Sequence, residues 1–297
     1  MHLFTRVFRQ HEKPKYPTRP LPKKVEASIE GRRHRVDTAY LLPKDDEETS
    51  RLDFQHYALQ KVIGANYKAP IDPNFLRSIL DVGTGTGRWV MDLAKEYPHT
   101  RVVGFDIEVP DIAVTCPPNC VFYGGDVLQS LPFATHTFDY VHQRLLVGAI
   151  PAVKWPDVIQ ELLRVSRPSG WVELLESGEV YHNLGPAQTY LKEAWDKNIA
   201  KVGFDLSLMP HLDTMLREAG LRHVKMDKIQ MPLGTWAGRA GELMGIDIYT
   251  VIKGFKGFYT SQLGMSSETF DEILTALPQE WEKNHTTYEF YLVYGQK

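Results

Sequence analysis

The sequence has little cysteine and no long apolar run. Its 297 residues include two cysteines, Cys116 and Cys120, which are too few for the disulfide framework of a small secreted domain. No further cysteine or histidine near them completes a metal-ligand set, so we predict no metal site. The apolar runs are shorter than the roughly 20 residues that span a bilayer, and the N-terminal residues lack a signal-peptide core. We therefore expect a cytoplasmic protein without a membrane partner.

The chain also carries no large excess of positive or negative charge. The formal net charge of −3 argues against a nucleic-acid partner. Basic residues are nevertheless concentrated in residues 1–35, which hold ten lysines and arginines, three glutamates and four prolines. This composition predicts an extended basic arm over 1–35 rather than a packed element. Two alternatives stay open: a disordered tail, or an arm that docks on its own or a neighbouring subunit, which would make a homo-oligomer.

Strands and helices alternate through most of the remaining chain. Apolar runs predict strands at 78–82, 101–105, 120–124, 137–142, 170–175, 222–231 and 286–294. Amphipathic spacing predicts helices at 87–97, 155–165, 187–201 and 208–219, and mostly helical structure over 236–284. The fold class is therefore predicted as α/β, with a doubly wound, seven-stranded, mostly parallel sheet whose last strand inserts antiparallel. We assign residues 76–297 to this domain, with a helical cap from residues 176–220 and 235–284.

A further helix precedes the first strand of this domain. Leu52, Leu59 and Ile63 recur near a 3.6-residue period, which predicts a helix over 51–64 with Ser50 as its N-cap. We assign residues 36–75 to this N-terminal helical segment.

The most informative stretch is the loop after the first strand. Asp81 is followed by three glycines at alternate positions and then by a helix. Such a loop at the carboxyl end of a parallel strand lets the backbone approach a ligand closely. A dinucleotide site requires Gly-x-Gly-x-x-Gly, and an anion beside its pyrophosphate would repel it. Asp81 suits instead the ammonium group of S-adenosylmethionine, so we predict that Asp81, Gly83, Thr84, Gly85 and Gly87 bind that cofactor.

Two more carboxylates follow the next two strands. Asp106 ends the second strand and can reach the ribose hydroxyls of the cofactor, with Ile107 beside it. Asp126 follows the third strand, where it can accept a hydrogen bond from the adenine amino group while Val127 packs on the ring. Gln143 and Arg144, which follow the fourth strand, are predicted to face the methyl-donor end of the cofactor.

These motifs resemble those of class I S-adenosylmethionine-dependent methyltransferases over residues 75–180. A narrower resemblance, to the LaeA-like methyltransferases, covers residues 31–180. That family includes fungal regulators of secondary metabolism. The narrower resemblance rests on the segments 31–34, 40–45, 48–56, 141–144 and 167–174. The resemblance implies that Tyr40 and the helix from Arg51 to His56 help to close the cofactor pocket. The segment 107–110 departs from the usual pattern of these relatives, so their substrates and partners do not transfer directly.

Methyl transfer requires alignment of the nucleophile with the methyl group and exclusion of water. A general base is needed only if the nucleophile is protonated, and the candidates are His142, Glu176 and His182, near the ends of the fourth and fifth strands. The cap is rich in aromatic residues, which suits a bulky apolar or aromatic substrate. The alternative is that most of these aromatic side chains form the core of the cap itself.

The sequence therefore predicts an enzyme that transfers a methyl group from S-adenosylmethionine to oxygen, nitrogen or an electron-rich carbon of a specialised small metabolite. The alternative is a methyltransferase-like regulator of secondary metabolism that acts through partner binding. The basic arm keeps that alternative open.

Overall fold

The computed structural model describes residues 25–38, 40–109 and 116–297. Most of the predicted basic arm, residues 1–24, lies outside the described residues. Residues 26–35 differ from the prediction, because they form a hairpin of strands β1 (Glu26–Ile29) and β2 (Arg32–Arg35) rather than an extended arm. Glu30 and Gly31 make its two-residue turn with φ angles of 50° and 74°, which suit the twist of a tight hairpin.

Helices and strands then alternate as expected. The helices are α1 (Asp46–Ile63), α2 (Arg88–Glu96), α3 (Trp155–Val165), α4 (Pro186–Asp196), α5 (Leu212–Glu218), α6 (Gly238–Gly254) and α7 (Ser267–Asn284). The strands after the hairpin are β3 (Ser78–Val82), β4 (Arg101–Asp106), β5 (Cys120–Gly124), β6 (Phe138–Arg144), β7 (Ser166–His182), β8 (Arg222–Pro232) and β9 (Thr287–Gln296). None of the described helices is long and apolar enough to cross a membrane.

The seven strands form one sheet in the order β5-β4-β3-β6-β7-β9-β8. Strand β3 pairs in parallel with β4 on one side and β6 on the other, so the strand order reverses at β3. Strand β9 lies antiparallel between β7 and β8. The predicted seven-stranded, mostly parallel, doubly wound sheet with an antiparallel last strand is confirmed. In such a sheet the reversal point opens a crevice at the carboxyl ends of the strands.

Helices cover both faces of the sheet. Trp155 and Leu162 of α3 pack on one face, and Trp89 and Leu93 of α2 pack on the other. A third apolar cluster joins α1, α4, α6 and α7 to the C-terminal half of β7 and to the N-terminal part of β9, and Trp281 is buried in it. This third cluster is the helical cap, and it stands beside the carboxyl ends of β3 to β6.

Helix α1 begins earlier than predicted. Its N-cap is Asp45, whose carboxylate accepts a hydrogen bond from the Glu48 N–H, and not Ser50, which lies inside the helix. Acidic residues in the first turn favour this start because they face the positive end of the helix dipole. Arg32 in the hairpin forms two hydrogen bonds with Asp45, which holds the cap in place.

Candidate functional site

A cavity of about 610 Å³ opens at the carboxyl ends of the strands. One end, the strand end, is lined by the loops after β3, β4 and β5. The other, the cap end, is lined by side chains of the helical cap and of β7 and β9. Both ends belong to one continuous space, of the size usual for a small-molecule or cofactor site.

The glycine loop forms the floor of the strand end. Gly83 and Gly85 line the cavity with φ angles of 73° and 56°. A Cβ atom on Gly83 would lie 2.5 Å from the Leu146 side chain, so this position admits no larger residue without movement. Gly87, with a φ angle of 77°, turns the chain into α2 but does not line the cavity.

Two carboxylates project from the neighbouring strands into the cavity wall. Asp106 accepts hydrogen bonds from the Gly85 N–H at 2.8 Å and the Glu108 N–H at 3.0 Å. Burial raises the pKa of the Asp106 carboxyl. Each of its oxygens keeps a further lone pair for a ligand hydroxyl. Asp126 accepts from the Leu128 N–H at 2.9 Å and also lines the cavity.

Ile107 and Val127 lie beside these two carboxylates and line the cavity as well. Two buried hydroxyls of the cavity lining, those of Thr84 and Thr38, have no hydrogen-bond partner among the residues that the structure describes. A buried hydroxyl without a partner is costly, so these two oxygens are available to a polar ligand. The strand end therefore fits a ligand that combines an apolar ring with several hydroxyl groups, as the nucleoside part of S-adenosylmethionine does.

The N-terminal segment closes one side of the cavity. Tyr40 and Arg51 line it, and the Tyr40 hydroxyl donates to Glu48 at 2.8 Å. Arg51 forms two hydrogen bonds with Glu48 and a third with Asp247 of α6, and all three charged groups are buried. This triad ties α1 to α6, and so connects the segment before the sheet to the cap.

Asp81 is placed differently from the expectation. Its carboxylate is buried, lies 2.7 Å from His142 Nδ1 and does not line the cavity. The His142 ring stacks on Trp89 with a centroid distance of 4.0 Å. Burial lowers the pKa of His142, so its neutral imidazole donates to Asp81. His142 therefore holds Asp81 in place and has no access to a substrate in the cavity.

The other two candidate bases also have structural partners. Glu176 is buried beneath the cavity and accepts from the Leu146 and Val147 N–H groups, and burial raises its pKa to about 8. His182 lies 2.8 Å from Glu289 by its Nε2 atom and is outside the cavity. Neither side chain reaches the space where a substrate would bind.

Gln143 and His56, expected at the cofactor, are likewise absent from the cavity lining. Gln143 donates to Glu176 at 3.4 Å. His56 lies between Asp92 and Arg144, at 2.9 Å and 3.0 Å, and burial lowers its pKa. His56 therefore holds a side chain of the cavity wall, that of Arg144, whereas Gln143 holds Glu176 beneath the cavity.

Arg144, which the sequence placed with Gln143 at the methyl-donor end of the cofactor, ends β6 and lines the strand end of the cavity. Sequence reasoning missed another polar residue of the lining. Glu179 on β7 lines the cap end, three residues beyond the expected Glu176, and its carboxylate has no hydrogen bond or ion pair within the part of the chain described. A single apolar strand pattern does not show which of several polar residues near its end turns toward the ligand.

Aromatic side chains dominate the cap end. Tyr181 and Tyr288 stack in parallel with a centroid distance of 4.0 Å. Trp195 packs edge-on against Phe255, and Tyr259 lies close by. The sequence left open whether such aromatic residues line a substrate site or form the core of the cap. All five line the cavity and also pack in the core of the cap.

Residues 79–170 match the family described as methyltransferase domain. The chain is 28% identical to the methyltransferase pytC of Aspergillus terreus over 87% of this chain and 83% of that protein. It is 26% identical to the N-methyltransferase gliN of Aspergillus fumigatus over 88% and 97% of the two chains. It is also 29% identical to the secondary metabolism regulator laeA of Aspergillus fumigatus, over 66% of this chain and 54% of that protein.

Among solved structures, the fold is similar to that of phosphoethanolamine N-methyltransferase 2 of Haemonchus contortus, determined with phosphomonomethylethanolamine and S-adenosylhomocysteine. The TM-score is 0.50 and the identity 16%, over 84% of this chain and 58% of that chain. The sheet order, the glycine loop and the family match all support one assignment, a class I S-adenosylmethionine-dependent methyltransferase.

Proposed function

We propose that the protein methylates oxygen, nitrogen or an electron-rich carbon of a bulky apolar or aromatic specialised metabolite. The observation that supports this most directly is the single cavity of about 610 Å³, whose polar strand end continues into an aromatic cap end. A concave space of this size suits a small molecule, and α1, α4 and α6 of the cap contribute side chains to its wall.

The strand end would hold the cofactor. In this proposal Asp106 binds the ribose hydroxyls, Asp126 the adenine amino group, and Ile107 and Val127 pack on the ring. The Gly83–Gly85 backbone lets the ligand approach the loop closely. The bound cofactor supplies a methyl group activated by its sulfonium, which needs no further activation by the protein.

The cap end would hold the acceptor. Tyr181, Tyr288 and Trp195 offer flat apolar surfaces that bury a ring and stabilise positive charge on it. The Glu179 carboxylate is free to accept a hydrogen bond from an N–H or O–H of the substrate, which orients that atom. The similarity to a named N-methyltransferase makes a nitrogen acceptor the first to test.

A matched pair of variants on α6 tests the proposal. Ile248 is buried and lines the cavity, whereas Ile246 is exposed on the same helix and does not. Transfer of labelled methyl from S-adenosylmethionine is measured with a panel of aromatic amines and phenols, and separately with peptides and RNA. We expect transfer to small molecules, strongly reduced in Ile248→Trp and unchanged in Ile246→Trp, while both variants bind S-adenosylhomocysteine. Transfer to peptides or RNA alone would contradict the proposal.

A regulatory role through partner binding has the similarity to a named regulator in its favour. Restoring the gene to a deletion strain as wild type or as Ile248→Trp separates the two functions. A regulator that acts through its surface keeps its effect on metabolite output when the cavity is blocked, whereas an enzyme loses it.

A further inference from the structure

Arg144 is a cation of the cavity wall that forms no ion pair with the residues that the structure describes. It ends β6, lines the strand end of the cavity, and burial lowers its pKa. Its one hydrogen bond within the described ranges is from Nη2 to His56 Nδ1 at 3.0 Å. A guanidinium carries five N–H donors, so most of the Arg144 donors have no acceptor among the described residues.

His56 supplies no negative charge to Arg144. Because its Nδ1 accepts from Arg144, the ring proton is on Nε2, which donates to Asp92 at 2.9 Å. The imidazole is therefore neutral, in agreement with its lowered pKa. His56 fixes the direction of the Arg144 side chain and leaves its charge uncompensated.

The nearby carboxylates are held by other partners. Asp81, Asp92 and Asp247 attract Arg144 electrostatically, but none forms a hydrogen bond with it. Asp81 is bonded to His142, Asp92 to His56, and Asp247 to both Arg51 and Gln55. A partly buried charge of this kind is stabilised by an anionic ligand in the cavity.

The order of the strands indicates which anion. Adjacent strands β5, β4, β3 and β6 bring Asp126, Asp106, the glycine loop and Arg144 to the same edge of the sheet in that order. Three inter-strand steps of about 4.8 Å separate the first from the last, or about 14 Å. The parts of the cofactor are joined in the same sequence: adenine, ribose, sulfur and amino acid.

We propose that Arg144 binds the carboxylate of the amino-acid part of the cofactor, with His56 as the residue that positions it. The forked guanidinium suits a carboxylate because two parallel N–H groups can donate to its two oxygens. This inference rests on the cofactor and is independent of the substrate proposed above.

The test is a binding cycle that requires no turnover. Calorimetry measures the affinity for S-adenosylhomocysteine and for its decarboxylated analogue, S-adenosyl-3-thiopropylamine, in the wild type and in Arg144→Gln. We expect the wild type to prefer the carboxylate-bearing ligand by about 10- to 100-fold, and Arg144→Gln to bind the two ligands within about twofold of each other. Arg144→Lys keeps the charge without the fork, and we expect it to keep part of the preference.

Arg88→Gln is the matched control. Arg88 lies beside the glycine loop in an ion pair with Asp53 but does not line the cavity, so its loss removes a nearby positive charge alone. We expect this variant to keep the wild-type preference. An unchanged preference in Arg144→Gln would overturn the proposal. If Arg144→Gln does not fold, equal affinities of the wild type for the two ligands would overturn it as well.

Discussion

His142 Nδ1 lies 2.7 Å from Asp81 Oδ1, and the bond joins two residues that face each other across the paired strands β3 and β6. Both side chains are buried, and the imidazole stacks on Trp89. Asp81 lies two residues before Gly83, the first glycine of the loop. His142 therefore fixes the position of the carboxylate that precedes the loop.

His142→Phe tests this support. Phenylalanine keeps the stacking on Trp89 but leaves the Asp81 carboxylate buried without its donor. We expect the free energy of unfolding to fall by about 1–3 kcal/mol, measured by urea denaturation. Turnover of the folded protein should be largely kept. A loss of turnover with unchanged stability and cofactor affinity would restore His142 as a general base.

Replacing Gly83 tests the close approach in the loop. Gly83→Ala places a Cβ 2.5 Å from Leu146 at a φ angle of 73°, so we expect about 1–3 kcal/mol of destabilisation and weaker binding of S-adenosylhomocysteine. Gly148→Ala is the matched control, because Gly148 also lines the cavity but has open space for a Cβ. Calorimetry and thermal unfolding of both variants give the comparison. Equal effects at the two positions would contradict a special role for Gly83.

Asp106→Ala removes the acceptor proposed for the ribose. We expect the affinity for S-adenosylhomocysteine to fall on the order of 100-fold, since two charge-assisted hydrogen bonds are lost. Asp227→Ala, on the exposed face of β8, removes the same charge far from the cavity and should leave binding unchanged. Unfolding is measured in parallel, because Asp106 also accepts from two backbone N–H groups. Unchanged affinity in a folded Asp106→Ala protein would refute the ribose role.

Glu176 predicts a pH dependence of stability. Burial raises its pKa from 4.5 to about 8, so the folded state holds a proton that the unfolded state releases above pH 4.5. Its contribution to stability is therefore present at low pH and is lost as the pH rises from about 4.5 to about 8. In Glu176→Gln the side chain does not titrate, so this loss of stability with rising pH is absent. We expect the stability of the wild type relative to the variant to fall by about 1–3 kcal/mol between pH 5 and pH 8. A difference that grows with pH would show an ionised carboxylate held by the two N–H groups.

The sheet could be predicted from the sequence because its strands are short apolar runs with clear ends. The bounds of β3 and β5 are those expected, since Gly83 after β3 and the prolines before Cys120 interrupt the pattern locally. The start of α1 was missed although a local pattern marks it: Asp45 is followed by Glu48 three residues later, and the first turn is acidic. What no local pattern contains is the contact from Arg32, thirteen residues earlier in the chain, that holds Asp45.

The lining of the cavity was only partly predictable, for a physical reason. Strand β6 is buried on both faces, so alternation of apolar and polar residues does not show that Arg144 faces the cavity while His142 and Gln143 do not. On β7 an irregularity between Ser177 and Tyr181 shifts the pairing with β9. Counting along the strand therefore leads to Glu176, whereas the structure turns Glu179 into the cavity.

Strand β9 lies between β7 and β8 although it follows both in the chain. Until a ribosome has added residues 287–296, β7 lacks one neighbour, β8 has no place in the sheet, and Tyr288 and Phe290 are missing from the cavity wall. Pairings across long loops form late because closing such loops costs entropy. The wall around either ligand is therefore incomplete before β9 has docked, because the same strand completes the sheet and the cavity.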